Sequence, residues 1–400
     1  MAAPRKIAVV TGSRADYGLL RALLGILRDD PRAQLKLIVS GAHLLGSFGN
    51  TVAEIERDGF TIAAKVAIDL PDDSPVTIAR ATGSATAGFA EALAGLSPDA
   101  VVLIGDRYEM LAAGTAAFLL NIPSVHIHGG EVTLGAFDDA IRHALTKMSL
   151  LHFVAAEEYR WRVIQMGEDP ARVFTVGAPG LDQFDQVKRL TRQEIEKRLE
   201  LEPGQKFLLV TLHPSTTMPA NDIPTAEALI SALHEMKDHA LVFTGVNSDP
   251  GHESIGARIR AFVDSHGGRA HIFASLGSET YINALRFADA IVGNSSSGIV
   301  EAPAAGVPTV NVGDRQRGRL FAKSVLACSS EPASILSALR TATSKDFAEA
   351  INNVQPPYGR AGASAKIARI LLATDLAPLL PKRFYDLPWP PGLAPDTAKS

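Results

Sequence analysis

Acid–base chemistry needs carboxylates, imidazoles and cations gathered within reach of one another. The stretch His126–His143, HIHGGEVTLGAFDDAIRH, supplies all three. It follows a short apolar run, Asn121–Val125, that reads as a buried strand. Gly129-Gly130 lets a ligand approach the backbone closely, because neither residue carries a Cβ. Glu131 then lies in the loop beyond the strand's carboxyl end, where open α/β sheets bind their ligands. Asp138 and Asp139 precede an apolar-periodic segment (Ile141, Leu145, Met148) and so open a helix, where the dipole favours carboxylates. Arg142 falls on their helical face. Asp106, in Gly105-Asp106-Arg107 after the run Val101–Ile104, is either a helix cap or a further carboxylate of the same cleft.

Anion-binding features lie at other strand ends. Thr11-Gly12-Ser13-Arg14-Ala15-Asp16-Tyr17-Gly18 is a Gly-rich turn before a helix, a ready place for phosphate. It lacks the GxGxxG spacing of a dinucleotide fingerprint. Arg14 is placed for a bidentate phosphate contact, unless it simply pairs with Asp16 at the surface. Gly293-Asn294-Ser295-Ser296-Ser297-Gly298 precedes an apolar helix that carries Glu301 one turn in. Its hydroxyls suit a phosphate, and Glu301 suits a ribose diol. Arg315 and Arg317, in Gly313-Asp314-Arg315-Gln316-Arg317-Gly318-Arg319, are further cations or a solvated basic loop. His213 follows the strand Lys206–Thr211, His43 tops the strand Leu35–Ser40, and Phe273 ends the run His271–Phe273. All three are candidates to line the site. His126 and His128 share a strand face but lack a third ligand, so no catalytic metal is expected, and no cofactor.

The elements that carry these residues alternate. Short β-branched runs (Lys6–Thr11, Leu35–Ser40, Ala100–Ile104, Ile122–His126, His152–Ala155, Val173–Val176) are separated by helical patterns such as Tyr17–Leu27, Pro75–Leu96 and Glu109–Leu120. The pattern pauses near Gly177–Gly180 and restarts at Lys206–Leu212, Ala240–Thr244, His271–Phe273, Ala290–Val292 and Thr309–Val312. Strand–helix alternation of this kind predicts right-handed βαβ units and parallel sheets. The expected class is α/β with two doubly wound, Rossmann-like domains, residues 1–178 and 179–375, and the active site in the cleft between them. A proline-rich tail follows at 376–400, expected to be an extended appendage that either packs on the surface through Trp389 or is disordered.

Composition narrows the function. The chain has 400 residues, 46% of them hydrophobic and 20% charged, with a formal net charge of −4. That balance argues against nucleic acid and against a basic membrane patch. The single cysteine, Cys328, permits no internal disulfide and reads as a small core residue. The N-terminus does not read as a signal peptide, and no run approaches a membrane span, so a cytoplasmic location is expected.

Seven motifs in order then carry a likeness: TGSRADYG (Thr11–Gly18), GDRYE (Gly105–Glu109), HGGE (His128–Glu131), DDAIRHALTK (Asp138–Lys147), LHPST (Leu212–Thr216), GNSSSGIVEAP (Gly293–Pro303) and GDRQRGR (Gly313–Arg319). The chain resembles the hydrolysing UDP-N-acetylglucosamine 2-epimerases of sialic-acid biosynthesis from about Lys6 to Ala373. Gly41-Ala42-His43-Leu44-Leu45 stands where the non-hydrolysing branch carries Gln-His-Arg-Glu-Met. The resemblance implies a glycosyltransferase-B-like fold, a nucleotide-sugar substrate, no cofactor and a homo-oligomer, dimer or tetramer. It implies elimination of UDP to a 2-acetamidoglucal, then hydration to an N-acetylmannosamine-type sugar. In that scheme Arg14, Ser295 and Ser296 contact phosphate and Glu301 the ribose. Asp106, Glu131, Asp138 or Asp139 and His213 move protons. Asp16, His43, Arg142, Phe273, Asn294, Ser297, Arg315 and Arg317 complete the substrate contacts. Three alternatives stand beside it: the same reaction on UDP- or GDP-N,N'-diacetylbacillosamine for legionaminic acid, a glycosyltransferase of this fold, and a non-catalytic nucleotide-sugar-binding module. The last has no need of the acidic cluster.

Overall fold

Runs of aliphatic residues too short for a buried helix become parallel strands in both halves of the chain. The computed structural model describes residues 3–45, 51–72, 74–132, 138–214, 219–245 and 252–388. Contacts divide them into two units. One holds 3–131, 138–179 and 364–388; the other is essentially Gly180–Ala363.

The first unit's strands are β1 (Arg5–Thr11), β2 (Ala33–Ser40), β3 (Ile62–Val66), β4 (Ala100–Ile104), β5 (Ser124–Ile127), β6 (Leu151–Val154) and β7 (Val173–Thr175). They pair in the order β3-β2-β1-β4-β5-β6-β7. The second unit's strands are β8 (Phe207–Thr211), β9 (Ala240–Thr244), β10 (Ala270–Phe273), β11 (Ala290–Gly293), β12 (Thr309–Val312) and β13 (Val325–Cys328), in the order β10-β9-β8-β11-β12-β13. Every pairing is parallel, with Val9 opposite Leu37 and Val102, and Val210 opposite Val292 and Phe243. In each sheet the direction of winding reverses beside the first strand, between β1 and β4 and between β8 and β11. These switch points open crevices at the strands' carboxyl ends.

Both faces of each sheet are covered. Ile7 and Val9 enter one core while Ala8 and Val10 enter the other, as the two-residue period of a strand requires. Leu208 and Val210 oppose Phe207 and Leu209 in the same way. At about 1.5–3 kcal/mol for each fully buried large aliphatic, these layers hold the strand ends in register.

Several expectations change. β3 and β13 are strands that the alternation pattern does not reveal, and β5 begins at Ser124 rather than Ile122. Residues 364–375 do not belong with the second domain. Ile367, Ala368 and Leu371 of the helix Ala363–Ala373 are buried in the first unit's core, and Arg5 donates to the carbonyls of Leu371 and Thr374 at 2.6 and 2.7 Å. The tail is not a loose appendage as far as 388. Lys382 Nζ donates to the carbonyls of Thr146, Lys147 and Ser149 and pairs with Glu168, while the Tyr385 amide donates to Gly167 O. Trp389, expected to anchor the tail, lies outside the described residues. Among those described, no helix is long and apolar enough to cross a membrane.

Candidate functional site

The first unit's switch point is built on an ion pair between a buried carboxylate and a half-exposed arginine. Glu109, in the first turn of helix Tyr108–Leu119, is fully buried and takes both Nε (3.1 Å) and Nη2 (2.9 Å) of Arg107. The loops after β1 and β2 close over it. A Cβ on Gly41, whose φ is +56°, would lie 2.6 Å from Gly12 O and 2.7 Å from Glu109 Oε1, so only glycine fits. Ser13 caps the helix Arg14–Asp29. Asp16 does not pair with Arg14 at the surface but turns inward to accept from the Gly12 amide at 3.3 Å. Burial pushes its carboxyl up to about 6 against the pull of Arg107 and Ser13. Arg14 is left largely exposed, 3.7 Å from Glu54.

His43 requires correction as a substrate contact. It is fully buried, with Nε2 3.0 Å from the Thr11 hydroxyl and Nδ1 2.7 Å from that of Thr51. Burial pushes it down to about 4, so it is a neutral brace between the loops.

Beside this crevice the carboxylates converge on Arg142. Its guanidinium, 4% exposed, pairs with Asp106, donates to Asp139 Oδ1 at 3.1 Å and donates to Glu131 O at 2.7 Å. One cation therefore fixes residues from the loops after β4 and β5 and from the helix Asp138–Met148. His143 Nε2 lies 3.3 Å from Asp139. Burial, then the neighbouring Asp106 charge, raises the Asp138 carboxyl above its ordinary value, opposed by Arg107 and Arg142. A shift in that direction makes the carboxyl a better proton acceptor than an ordinary aspartate. His126 has both ring nitrogens occupied, by Thr146 Oγ1 and Gly105 O, and burial pushes it down to about 3. His128 instead faces Glu131, with Nδ1 2.6 Å from Oε1. Residues 133–137, between Glu131 and the helix, lie outside the description.

In the second unit Asn294 clips the two central loops together. Its Oδ1 accepts from the His213 amide at 2.7 Å and its Nδ2 donates to His213 O at 2.8 Å. Arg315 Nε donates to Pro214 O and Nη1 to Asn294 O, and Gln316 adds a third bond at 2.9 Å. Ser296 opens the helix Ser297–Ala305 and is exposed, Ser295 is half-buried, and Ser297 Oγ meets the Tyr281 hydroxyl at 2.5 Å. The amides there already have partners, Ser297 N donating to Ser295 Oγ at 3.3 Å, Gly298 N to Ser295 O and Ile299 N to Ser296 O. What the turn offers an anion is the positive end of the helix and the exposed Ser296 hydroxyl. Burial raises the Glu301 carboxyl. Arg317 is exposed, and Phe273 is half-buried against the second core. A cavity of about 430 Å³ adjoins these loops, lined by His213, Asn294, Arg315, Asp222, Thr225 and Cys328. Burial pushes the Cys328 thiol up to about 11, which suits a packing residue and not a nucleophile. Ser215 and Thr216 lie outside the described residues. No group of three or more metal-ligating side chains is found among those described.

Gly293 makes the serine loop possible. A Cβ at its φ of +136° would lie 1.8 Å from Thr211 O. Gly293→Ala is therefore expected to lose about 3 kcal/mol or more of stability. Thermal melting checks this, and an unchanged midpoint would show that the loop gives way.

Sequence reading did not single out Arg107 with Glu109, or His128 as more than a metal candidate. The signal for the first was the charge-reversed pair two residues apart at a helix start. The second was visible only as an imidazole three residues before a glutamate, across two glycines.

A family model described as UDP-N-acetylglucosamine 2-epimerase matches residues 26–372. A Campylobacter jejuni protein named GDP/UDP-N,N'-diacetylbacillosamine 2-epimerase (hydrolyzing) is 37% identical over 384 residues, 96% of this chain and 99% of its own length. A UDP-N,N'-diacetylbacillosamine 2-epimerase (hydrolyzing) of Legionella pneumophila is 40% identical over 342 residues, 85% of this chain and 89% of its own. The crystal structure of UDP-GlcNAc 2-epimerase from Neisseria meningitidis bound to UDP-GlcNAc matches with a TM-score of 0.78. It covers 92% of this chain and 100% of that one at 18% identity, a likeness of fold.

Proposed function

Because this chain belongs to the UDP-N-acetylglucosamine 2-epimerase family, we propose that it hydrolyses a nucleotide-linked 2-acetamido sugar with inversion at C2. The products are a nucleoside diphosphate and a free N-acetylmannosamine-type sugar. The observation that carries the reading is the convergence of Asp106, Asp139 and Glu131 on Arg142, beside an Asp138 whose carboxyl is raised.

A base takes the C2 proton while the C2–H bonding pair forms the C1=C2 double bond. The C1–O pair leaves with the diphosphate, giving a 2-acetamidoglucal. Water then adds its hydroxyl to C1, and an acid delivers a proton to the opposite face of C2. Arg14 and the Ser295–Ser297 helix start stabilise the charge that builds on the diphosphate. Glu301 takes the ribose, and Arg315 holds the His213 and Asn294 loops in place.

UDP-N-acetylglucosamine is one substrate reading. A UDP- or GDP-linked diacetamido sugar is the second, favoured by the names of both relatives. The family likeness also supports a cytoplasmic homo-oligomer, and exposed Val76, Phe118 and Leu119 give the first unit apolar surface for such contacts. Incubation with a panel of UDP- and GDP-sugars in deuterium oxide is expected to release the diphosphate without any acceptor and to place deuterium at C2 of the product. Full retention of protium at C2 would exclude elimination. Release that requires an acceptor would make the protein a glycosyltransferase.

A further inference from the structure

His128 leaves the end of β5 with φ of +66°, a left-handed conformation uncommon outside glycine, although histidine adopts it more readily than most residues. Strain of this kind persists only where the surroundings over-determine it. Here they do. The His128 amide donates to Phe153 O at 3.0 Å, Arg162 donates to Gly130 O, and Arg142 donates to Glu131 O at 2.7 Å. The whole turn His128–Glu131 is pinned to β6 and to two helices.

The result is an imidazole aimed at a carboxylate, with Nδ1 2.6 Å from Glu131 Oε1. An ionised carboxylate only accepts, so Nδ1 carries the hydrogen, and in the neutral ring the lone pair then lies on Nε2. That Nε2 is buried and meets no hydrogen-bond partner among the described residues. By contrast, His126 and His43 spend both ring nitrogens on protein groups. His143, His152, His239 and His271 also bury one ring nitrogen without a partner among the described residues, and His152 has Glu168 on its other nitrogen. What sets His128 apart is its place at the end of β5, on the turn that Arg142 ties to Asp106 and Asp139. A carboxylate that fixes a tautomer behind an unoccupied nitrogen is the arrangement of a general base.

We infer that His128 is itself a proton-transfer residue, with Glu131 setting its tautomer and balancing the imidazolium. The inference rests on the 2-epimerase reading and sharpens it by moving Glu131 one step back from the substrate. Nε2 takes the C2 proton as the C2–H pair becomes the double bond and the C1–O pair departs with the diphosphate. The imidazolium holds that proton against Glu131 and releases it to solvent after the sugar leaves. The charged groups around the turn are Glu131, Arg142, Arg162, Asp106 and Asp139. The two arginines bond to backbone carbonyls here, and the carboxylate nearest the ring is Glu131.

His128→Asn is the decisive variant, since asparagine tolerates the left-handed backbone. It is expected to melt and bind UDP as the unsubstituted protein does, with kcat lower by on the order of 10²–10⁴ and KM changed less than about threefold. His128→Gln, which keeps more of the ring's reach, should fall by a similar factor. Because the two groups act as a unit, His128→Asn combined with Glu131→Gln should stay within about tenfold of the slower single variant. A His128→Asn enzyme within about threefold of full kcat, or losses that multiply in the double variant, would overturn the inference. Nitrogen-15 imidazole shifts in the ligand-free protein test the dyad apart from any activity. The expected pattern has Nδ1 protonated and Nε2 bare at neutral pH, and the reverse tautomer overturns it. If the tautomer is as expected while no nucleotide sugar is turned over, the functional reading fails and the dyad stands.

Discussion

Asp106→Asn and Glu131→Gln should each lower kcat by on the order of 10²–10⁴ while the protein stays folded. Both replacements keep the size of the side chain and an accepting oxygen, so the bonds from Arg142 to position 106 and from His128 to position 131 can still form. What each removes is a negative charge from a set arranged to exchange protons. At Asp106 the loss has a second effect of known sign. The Asp106 charge helps raise the Asp138 carboxyl, so neutralising it lowers Asp138 toward its ordinary range. Asp138 then holds its proton over a narrower span of pH, and any step that needs it protonated weakens first on the alkaline side. Diphosphate release across a pH series, with melting curves as the folding control, measures both. Unchanged rates in the two variants would remove these residues from the reaction.

Arg142→Met should reduce stability and turnover together. The guanidinium is nearly buried, whereas Asp106 and Asp139 keep side-chain exposures of 25% and 30%. Breaking a fully buried pair costs about 3–5 kcal/mol. Partial access of water to both carboxylates discounts this to about 2–3 kcal/mol. The Glu131 carbonyl also loses its donor, and three loop ends are freed at once. Misplacement of about 1 Å is worth on the order of 10² in rate, so several such shifts should lower kcat by on the order of 10³ or more. Arg142→Lys should not restore it, since an ammonium lacks the planar fork that reaches three acceptors in different directions. Calorimetry and steady-state rates measure the effects. Full turnover in the lysine variant would show that charge alone, without the fork, suffices.

The loops beside the two winding reversals were legible as candidate sites because strand–helix alternation and the chemistry-bearing loops coincide, while the strand order itself was not read from the sequence. Gly12, Gly105 and Asn294 each follow an apolar run, and each sits at a crevice. β3 was not legible, since Ile62–Val66 carries Lys65 and sits at an edge where one polar side chain is tolerated. Cys328 read as a core residue, and the strand around it passed unnoticed because a four-residue apolar run has no diagnostic period. His43 was a candidate because it tops the second strand, where it could line the same cleft. The hydroxyls of Thr11 and Thr51, which turn it inward, are brought to it only by the fold. The helix Ala363–Ala373 shows the limit most clearly. Its apolar stripe states that it packs, but nothing in a stripe names which of two cores receives it.

That helix has a consequence for how the molecule is made. Lys366 reaches Val176 O across a sequence separation of 190 residues, and Ile367 and Leu371 fill the core of a sheet whose strands were all translated long before. The first unit's core therefore stays incomplete until residues 364–376 have left the ribosome. The intervening unit carries every strand of its own sheet and can fold first, the reverse of the usual N-to-C order. Until Ser364 and its successors emerge, the part of that apolar face which Ile367, Ala368 and Leu371 cover stays open.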